Sequence, residues 1–344
     1  MKIAIAQLNY HIGNFSENAG KIITKIHQAK SEDVDLIVFS ELSVCGYPPL
    51  DLLENRDFIK KSQETVKKIA VECTEIAAIV GAPVINNDPK GKMLYNAALF
   101  LEDGKIKSQH FKTLLPTYDI FDEYRYFEPN NQFDIIDYKN ETIALTICED
   151  LWDDQPVENS FARNRLYRKS PMEELIKLNP SLMINIAASP FSYRQEHVRE
   201  KVLLRNTKKY QLPLVYVNLV GANTELIFDG GSMAISKEGN IIKNLNYFRE
   251  DYFVFKTDDL SSKNDVGLIN QDYIKKIHDA LILGIKDYFR KTGFTKATLG
   301  LSGGIDSAVT VALAVRALGN NNIRVLMMPS KYSSDHSVQD AKEL

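Results

Sequence analysis

A chain of 344 residues has the length of two average domains or one large one, and it can bury a core without disulfide bonds or metal ions. Hydrophobic residues make up 44% and charged residues 25% of the sequence, and the formal net charge is -3, which excludes a disordered tail and a collagen-like repeat. This near-neutral balance also lacks the basic surface of nucleic-acid-binding proteins, so nucleic acid is not an expected partner.

The cysteines and the N-terminus indicate the class of protein. Cys45, Cys73 and Cys148 are too few and too scattered for a disulfide framework or a zinc site. The opening MKIAIAQLNY turns polar too soon for a signal peptide, and no apolar stretch has the length of a membrane span. We therefore expect a cytoplasmic enzyme that has no membrane partner.

The first 260 residues alternate between the apolar patterns of strands and helices. Strands are predicted at residues 2–8, 35–40, 77–84, 95–101, 105–112, 133–138, 142–147, 182–187 and 214–219, and a strand pair around the turn 237–240. Helices are predicted at residues 17–30, 57–73, 171–178 and 197–210. Asn14 or Ser16 would cap the first helix. The helices are numerous enough to cover a sheet built from these strands, which predicts one α/β domain over residues 1–260.

A polar segment over residues 261–270 interrupts this pattern and is predicted to be a linker. Residues 271–344 then read as a long helix (271–291), a strand (297–301), a glycine-rich turn, a helix (307–318), a strand (323–328) and a helical tail (333–344). Two parallel strands bury too little surface to stand alone, and the tail stops within a helical pattern. We expect a second domain that is truncated, in a fragment of a longer chain.

Three predicted strands end in reactive side chains. Glu41 follows the strand DLIVFS, Lys112 ends IKSQHFK, and Cys148 follows IALTI. The carboxyl ends of strands are where sites assemble in α/β sheets. Taken alone, a Cys after a buried strand is usually a small apolar residue, and a lone Glu or Lys is usually a solvated surface group.

The chemistry gives a reason to connect these residues. A thiol that attacks a carbon-nitrogen bond needs a base to accept its proton and a cation to stabilise the oxyanion. Glu41, Lys112 and Cys148 meet these needs together. The acidic Glu149 and Asp150 beside the thiol disfavour its ionisation, which makes a nearby cation more necessary.

Four segments carry a resemblance to a known family. They are FSELSVCGYPPLDLL around Glu41, KTLLPTYDIFDEYRYF from Lys112, ICEDLW around Cys148, and NIAASPF at residues 185–191. Together they resemble the nitrilase (carbon-nitrogen hydrolase) superfamily. The resemblance implies a four-layer αββα sandwich and a catalytic triad of Glu41, Lys112 and Cys148. It also implies a further catalytic glutamate at Glu123.

The segment LGLSGGIDSA lies between a predicted strand and a predicted helix. It is neither a Walker A loop nor GxGxxG. Glycines, the hydroxyls of Ser302 and Ser307, and a helix N-terminus make an anion site suited to pyrophosphate, although a plain glycine-rich turn is the simpler interpretation.

SGGIDS in this position resembles the PP-loop of ATP pyrophosphatases, at the beginning of a Rossmann-like α/β domain. The resemblance implies that Asp306 is a Mg²⁺ ligand. It also implies that the ATP phosphates are bound by Gly300, Leu301, Ser302, Gly303, Gly304, Ile305, Asp306 and Ser307.

A nitrilase-like domain followed by SGGIDS and LMMPSKYSSDHSVQDAKEL is similar to the glutamine-dependent NAD synthetases. That family resemblance implies hydrolysis of L-glutamine to supply ammonia for the ATP-dependent amidation of deamido-NAD, with release of AMP and pyrophosphate. It implies small-molecule substrates, no tightly bound prosthetic group, and a homo-oligomer. It places glutamine contacts at Tyr118 and Ser189. A further contact, usually a basic residue, falls on Gln195, which departs from the family pattern.

Other interpretations remain open. His110 shares strand parity with Lys112, so a Cys-His hydrolase pair with Cys148 is conceivable. The chain could be a free-standing amidase of the nitrilase superfamily with a vestigial ATP-binding tail, which predicts amide hydrolysis independent of ATP. It could also be a non-catalytic nucleotide-sensing module, which predicts ATP binding without hydrolysis.

Overall fold

The computed structural model describes residues 1–154, 167–193, 195–269, 272–329 and 334–344, and the side chains of residues 195 and 196 are not described. The chain divides into two compact units. The first comprises Met1–Val220 and Phe228–Asn270, and the second comprises Gly221–Ile227 and Gln271–Leu344.

The strands alternate with helices along the first unit. The strands among the described residues of both units are β1 (Lys2–Gln7), β2 (Leu36–Val38), β3 (Ala77–Ile85), β4 (Leu94–Glu102), β5 (Lys105–Phe111), β6 (Ile136–Tyr138), β7 (Glu141–Ile147), β8 (Leu182–Ala187), β9 (Leu214–Asn218), β10 (Val220–Asn223), β11 (Leu226–Asp229), β12 (Met233–Ile235), β13 (Ile241–Asn244), β14 (Asp251–Lys256), β15 (Ala297–Gly300) and β16 (Ile323–Leu326). The helices are α1 (Phe15–Ser31), α2 (Arg56–Glu72), α3 (Glu123–Tyr126), α4 (Pro171–Leu175), α5 (Gln195–Tyr210), α6 (Tyr273–Thr292), α7 (Ile305–Leu318) and α8 (Asp335–Glu343).

Two six-stranded sheets form the centre of the first unit. The first has the order β14-β1-β2-β3-β4-β5, and the second has the order β13-β12-β9-β8-β7-β6. Strands β1, β2 and β3 are parallel, as are β7, β8 and β9, whereas the outer strands pair antiparallel. The carboxyl ends of these parallel strands are therefore available for a site in each sheet.

One apolar core joins the two sheets face to face. It contains Ile5 and Val38 from the first sheet together with Leu145 and Ile184 from the second. Helices α1 and α2 pack on each other, α2 contacts β3 and β5, and α4 contacts β7. The predicted four-layer αββα sandwich is therefore confirmed.

Local sequence signals account for the helix ends. The Asn14 side chain accepts a hydrogen bond from the Glu17 backbone nitrogen and so caps α1, which settles the choice between Asn14 and Ser16. Asn55 caps α2 in the same way. Pro171 lies in the first turn of α4, and that helix ends at Leu175, after which the backbone tightens into a 3₁₀ turn over Ile176–Leu178.

The structure differs from the sequence predictions at several strands. The predicted strand 133–138 is reduced to Ile136–Tyr138, and the predicted strand 35–40 to Leu36–Val38, because the flanking residues leave the sheet. Strand β14 was not predicted, and it pairs antiparallel with the full length of β1. Its pairing partner lies about 250 positions away in sequence, so no local pattern identifies it.

The second unit contains a βαβ arrangement. Strands β15 and β16 are parallel and are joined through α7, which confirms the predicted βαβ unit. Asp272 caps α6 and Ser334 caps α8. Residues 270, 271 and 333, which the predicted linker and helices included, lie outside the described residues. In the described part of the chain, no helix combines the length and apolar character needed to cross a membrane.

Candidate active site

Cys148 lies where β7 ends and a short 3₁₀ turn, Cys148–Leu151, begins. Its backbone has a φ of 45°, in the left-handed region that residues with a Cβ rarely adopt. The Asn185 side chain donates a hydrogen bond to the Cys148 carbonyl at 3.4 Å. A sharp turn held from β8 therefore presents the thiol at the strand end.

Glu41 is fully buried in the loop that follows β2. Its Oε1 accepts hydrogen bonds from Lys112 Nζ at 2.8 Å and from Asn96 Nδ2 at 2.7 Å. Its Oε2 accepts a hydrogen bond from the Ala188 backbone nitrogen at 2.9 Å. Three donors on two oxygens hold this carboxylate in one orientation.

Gly81 on β3 allows the Glu41 loop to lie against the sheet. A Cβ at this position would be 2.2 Å from the Leu42 backbone nitrogen and 2.8 Å from the Glu41 carbonyl carbon. The Gly81 carbonyl accepts a hydrogen bond from the Val44 nitrogen, and the Gly81 nitrogen donates one to Ser43 Oγ. Only glycine permits this backbone approach.

Lys112 directly follows β5, and its side chain is fully buried between two carboxylates. Its Nζ lies 2.8 Å from Glu41 Oε1, 2.8 Å from Glu123 Oε1 and 2.7 Å from Glu123 Oε2. Burial by itself would lower the pKa of Lys112, but the charges of Glu123 and Glu41 outweigh burial and hold the pKa well above its ordinary value. The ammonium is therefore a permanent buried cation.

Glu123 begins the short helix α3 and completes this cluster. Its Oε1 also accepts a hydrogen bond from the Tyr47 hydroxyl at 2.8 Å. Burial raises the pKa of Glu123, the Lys112 charge lowers it and the Glu41 charge raises it, and the net direction is upward. Two carboxylates thus share one cation in a buried site.

The Cys148 thiol is next to these charges. Burial raises the pKa of Cys148, the Glu41 charge raises it further, and the Lys112 charge opposes both, with a net result well above the ordinary value. The thiol therefore rests protonated and needs a base. Glu41 can act as that base, and Lys112 can stabilise negative charge that develops on a substrate oxygen.

Glu149, the residue after Cys148, is linked to two tyrosines. Its Oε1 accepts hydrogen bonds from the Tyr118 hydroxyl at 2.7 Å and the Tyr167 hydroxyl at 2.9 Å. Burial raises the pKa of Glu149 to about 7, although the Tyr118 hydroxyl lowers it. The predicted substrate contact Tyr118 therefore lies beside the turn that carries Cys148.

Ser189 follows β8 and is buried. Asn218 holds its backbone, because the Ser189 nitrogen donates to Asn218 Oδ1 at 2.9 Å and the Ser189 carbonyl accepts from Asn218 Nδ2 at 3.2 Å. Gln195 is the first residue of α5, and its side chain lies outside the described residues. The predicted role of Gln195 therefore stays a prediction.

His110 contacts a different set of residues. Its Nε2 lies 2.9 Å from Ser108 Oγ, and burial lowers its pKa while Asp134 raises it, with a net downward direction. The charges that act on the Cys148 thiol are those of Glu41, Lys112, Glu123 and Glu149. The geometry supports the Glu-Lys-Cys arrangement over a Cys-His pair.

Several contacts in this site were not identified from the sequence. Tyr47, Ala188 and Asp150 lie within the motifs that carry the resemblance, but their roles as hydrogen-bond partners depend on the fold. Asn96 was absent from those motifs. A polar side chain in the apolar strand LYNAALFLE is the one local signal that could have identified it.

The glycine-rich loop of the second unit connects β15 to α7. Ser302 Oγ lies 3.1 Å from Ser307 Oγ, the Gly304 nitrogen donates to Ser302 Oγ at 3.3 Å, and Ser307 Oγ donates to the Gly304 carbonyl at 2.9 Å. Gly303 has a φ of 80°. The two hydroxyls thus shape a compact loop at the N-terminus of a helix of 14 residues.

A cavity of about 260 Å³ adjoins this loop. It is lined by residues of β15, β16, α8 and the segments that follow the two strands, among them Gly300, Ser302 and Met328. Asp306 lies in the first turn of α7 and is exposed. Among the described residues, no group of three His, Cys, Asp or Glu side chains could hold a metal ion.

Two family models match the chain. Residues 2–162 match the carbon-nitrogen hydrolase model, and residues 277–344 match the NAD synthase model. The two matches stand in the order that the sequence motifs predicted.

Curated relatives resemble almost the entire chain. A glutamine-dependent NAD(+) synthetase from Synechocystis is 43% identical over 99% of this chain and 62% of the relative. Another from Acinetobacter baylyi is 35% identical over 99% of this chain and 60% of the relative. The chain therefore spans about three-fifths of the length of these relatives.

Solved structures agree with these matches. The glutamine-dependent NAD+ synthetase from Acinetobacter baumannii, solved in complex with ADP, superposes with a TM-score of 0.88 at 35% identity, over 99% of this chain and 62% of that one. An amidase of the nitrilase superfamily from Nesterenkonia superposes with a TM-score of 0.62 at 18% identity, over 76% of this chain and 92% of that one. The second likeness shows the fold alone.

Proposed function

For a chain that is related to the glutamine-dependent NAD(+) synthetases along 99% of its length, we propose a glutamine-hydrolysing enzyme that supplies ammonia to NAD synthesis. Residues 1–260 would form the glutaminase domain, residues 261–270 a linker, and residues 271–344 the N-terminal part of an ATP-binding synthetase domain. The observation that carries the proposal is the fully buried Lys112 between Glu41 and Glu123, beside the Cys148 thiol.

Glu41, Lys112 and Cys148 carry out the glutaminase steps in this proposal. Glu41 accepts the thiol proton as Cys148 Sγ bonds to the carboxamide carbon of glutamine. Lys112 stabilises the oxyanion of the tetrahedral intermediate. Glu41 then returns the proton to the amide nitrogen as the carbon-nitrogen bond breaks and ammonia leaves. Water hydrolyses the remaining thioester to glutamate and the free thiol.

Glu123 has a separate role in this scheme. Its carboxylate contacts the Lys112 ammonium independently of Glu41, so the ammonium keeps one anionic partner when Glu41 becomes protonated and its attraction for Lys112 weakens. The Tyr47 hydroxyl fixes the Glu123 carboxylate in turn. The ion pair of Lys112 with Glu123 therefore persists when Glu41 takes up the proton.

Substrate glutamine would be held beside the catalytic turn. Tyr118 and Ser189 are the proposed contacts, with Gln195 in place of the basic residue that the family pattern expects. Tyr118 is already oriented by Glu149, and Ser189 by Asn218. The contacts with Glu149 and Asn218 already restrict the two residues, so glutamine binding loses less conformational entropy.

The loop from Gly300 to Ser307 would bind the phosphates of ATP. Mg²⁺ in nucleotide sites usually has one or two carboxylate ligands, and phosphates and waters complete its coordination. The exposed Asp306 at the start of α7 fits such a site, and the bound ion would neutralise phosphate charge. The backbone nitrogens at the helix N-terminus and the hydroxyls of Ser302 and Ser307 would orient the phosphates.

The whole protein would activate the nicotinate carboxylate of deamido-NAD with ATP, release pyrophosphate, and transfer ammonia to the adenylate with release of AMP. This proposal includes ATP, deamido-NAD and L-glutamine as its small-molecule substrates. Homo-oligomerisation and a cytoplasmic location remain predictions of the sequence.

Ammonia release tests the proposal directly. We expect the chain to release ammonia from L-glutamine, and we expect Cys148→Ala to abolish the release. Cys73→Ala is the matched control, because Cys73 is a buried cysteine at the end of α2. Folded protein that releases no ammonia with or without ATP and deamido-NAD would contradict the glutaminase proposal.

A free-standing amidase is the second candidate, because the sandwich fold is shared with an amidase of the nitrilase superfamily. A panel of acetamide, propionamide and L-glutamine distinguishes the two. The glutaminase proposal predicts a preference for L-glutamine in kcat/KM. Faster hydrolysis of the simple amides would favour the amidase instead.

A further inference from the structure

Asp150, two residues after Cys148, makes three backbone hydrogen bonds in the interior. Its Oδ1 accepts from the Thr113 nitrogen at 2.9 Å and from the Leu114 nitrogen at 2.9 Å. Its Oδ2 accepts from the Ile147 nitrogen at 3.0 Å. The residue is 2% exposed. All four lone-pair directions of a carboxylate are acceptors, and three of them are used here.

The donors to the two oxygens lie at the ends of strands from two different sheets. Thr113 and Leu114 directly follow Lys112, which is the first residue after β5 of the first sheet. Ile147 directly precedes Cys148 and is the last residue of β7 in the second sheet. One carboxylate therefore joins the backbone that carries Lys112 to the backbone that carries Cys148.

We propose that Asp150 is a positioning residue that sets the separation between the Lys112 ammonium and the Cys148 thiol by tying the ends of β5 and β7 together. The proposal rests on the proposed function, because that function requires the cation and the thiol to act on the same substrate carbonyl. Asp150 acts through the two backbone segments and does not touch the reacting atoms.

The chemistry of the carboxylate makes it hard to replace. Asparagine keeps Oδ1 as an acceptor for Thr113 and Leu114, but it places an NH₂ group opposite the Ile147 N–H, where two donors would meet. Alanine loses all three hydrogen bonds. Burial raises the pKa of Asp150 to about 7, while hydrogen bonds from Leu114 and Ile147 lower it, so the carboxylate form dominates at pH 8.

Steady-state glutaminase kinetics at pH 8 form the first test. We expect kcat to fall about 10²-fold in Asp150→Asn and further in Asp150→Ala, because a displacement of about 1 Å between reacting groups costs this much. We expect KM to stay within about threefold, since a positioning residue leaves the glutamine contacts in place. Asp153→Asn is the matched control, because Asp153 is a buried aspartate three residues further along the chain.

Alkylation of Cys148 by iodoacetamide separates this proposal from the proposed function, because it requires no glutamine. The Lys112 charge lowers the pKa of the thiol, so moving Lys112 away should slow alkylation and shift its pH midpoint upward. We expect a rate at least fivefold lower in Asp150→Asn than in wild type or Asp153→Asn. Peptide mass analysis assigns the label to Cys148.

Three results would overturn the proposal. The first is a wild-type kcat and alkylation rate in folded Asp150→Asn and Asp150→Ala, and the second is an equal loss in Asp153→Asn. The third is a loss confined to KM. If wild-type protein releases no ammonia from L-glutamine, the proposed function fails, whereas the alkylation rates still decide the role of Asp150. Circular dichroism of each variant identifies any that do not fold.

Discussion

The backbone nitrogen of Ala188 donates a hydrogen bond to Glu41 Oε2 at 2.9 Å, although the two residues are 147 positions apart. Glu41 lies in the loop after β2 of the first sheet, and Ala188 directly follows β8 of the second sheet. The NIAASPF motif therefore contributes a donor to the Glu41 carboxylate. The two sheets must therefore pack in this relative position for the site to form.

Removing the buried cation should cost both activity and stability. Lys112→Met leaves the Glu41 and Glu123 carboxylates buried without their counter-ion, and breaking such a pair costs about 3 to 5 kcal/mol. We expect a free energy of unfolding lower by that amount and a kcat at least about 10³-fold lower, since oxyanion stabilisation is lost. Urea unfolding and ammonia release measure the two effects.

The double variant Lys112→Met with Glu123→Gln serves as its control. The second change removes one unpaired charge, so part of the stability should return while the activity stays lost. Equal stability in the single and double variants would contradict the assignment of Glu123 as a partner of Lys112.

Gly81→Ala should displace the Glu41 loop. The added Cβ would be 2.2 Å from the Leu42 nitrogen, so the loop must shift, and overpacking of this kind costs about 1 to 3 kcal/mol. We expect a lower thermal midpoint and a kcat reduced more than tenfold.

Gly20→Ala in α1 is the matched control, because no atom lies within 4 Å of its added Cβ. That variant should keep full activity and gain slightly in stability. Identical behaviour of the two variants would contradict the close approach at Gly81.

Asn96→Leu should weaken the orientation of Glu41. The substitution removes the 2.7 Å hydrogen bond to Glu41 Oε1, and a hydrogen bond to a charged group is worth about 1.5 to 3 kcal/mol. If this energy is expressed in the transition state, kcat falls by about 10- to 100-fold. Fixed-time ammonia assays measure kcat, with Asn86→Leu, at the partly buried residue that directly follows β3, as the control. A kcat within twofold of wild type would show that Lys112 and Ala188 suffice to hold the carboxylate.

Glu149 should make stability depend on pH. In the unfolded chain its pKa has the ordinary value of 4.5, whereas burial raises the pKa in the folded protein to about 7. Between these two values the folded protein retains a proton that the unfolded chain has released, so stability falls as pH rises through this window and levels off above it. Glu149→Gln removes this contribution. From pH 5 to pH 8, wild type should lose about 2 to 3 kcal/mol more of its unfolding free energy than Glu149→Gln.

Urea unfolding at the two pH values measures this difference. The variant Glu173→Gln, at an exposed position on α4, controls for the removal of one negative charge and should follow the wild type. A parallel decline in wild type and Glu149→Gln would contradict the raised pKa of Glu149.

Gly303→Ala should weaken ATP binding by the second unit. A Cβ at Gly303 would be 2.0 Å from the Ser337 carbonyl oxygen, and the φ of 80° already disfavours a side chain. Gly319→Ala is the control, because its φ of 86° imposes the same backbone cost while no atom lies within 4 Å. In calorimetric titrations with ATP and Mg²⁺, we expect at least a tenfold loss of affinity in the first variant only. Equal affinities would contradict the close packing of this loop on α8.

The sequence by itself determined the α/β class, most element positions, and the three side chains Glu41, Lys112 and Cys148. Local patterns carry this information, because strand ends, cap residues and reactive side chains can all be recognised from residues that are close together in the sequence. The same patterns placed the glycine-rich loop between β15 and α7.

Only the tertiary structure decided how those residues work together. The Ala188 nitrogen and the Asn96 amide reach Glu41 from distant segments, and the Tyr47 hydroxyl reaches Glu123 in the same way. The Asp150 carboxylate binds backbone nitrogens that follow Lys112, and strand β14 pairs with β1 across almost the entire first unit. Such contacts depend on the packing of two sheets and on backbone groups that every residue possesses. Because a backbone N–H is the same in every non-proline residue, no single sequence distinguishes the one that binds a catalytic carboxylate.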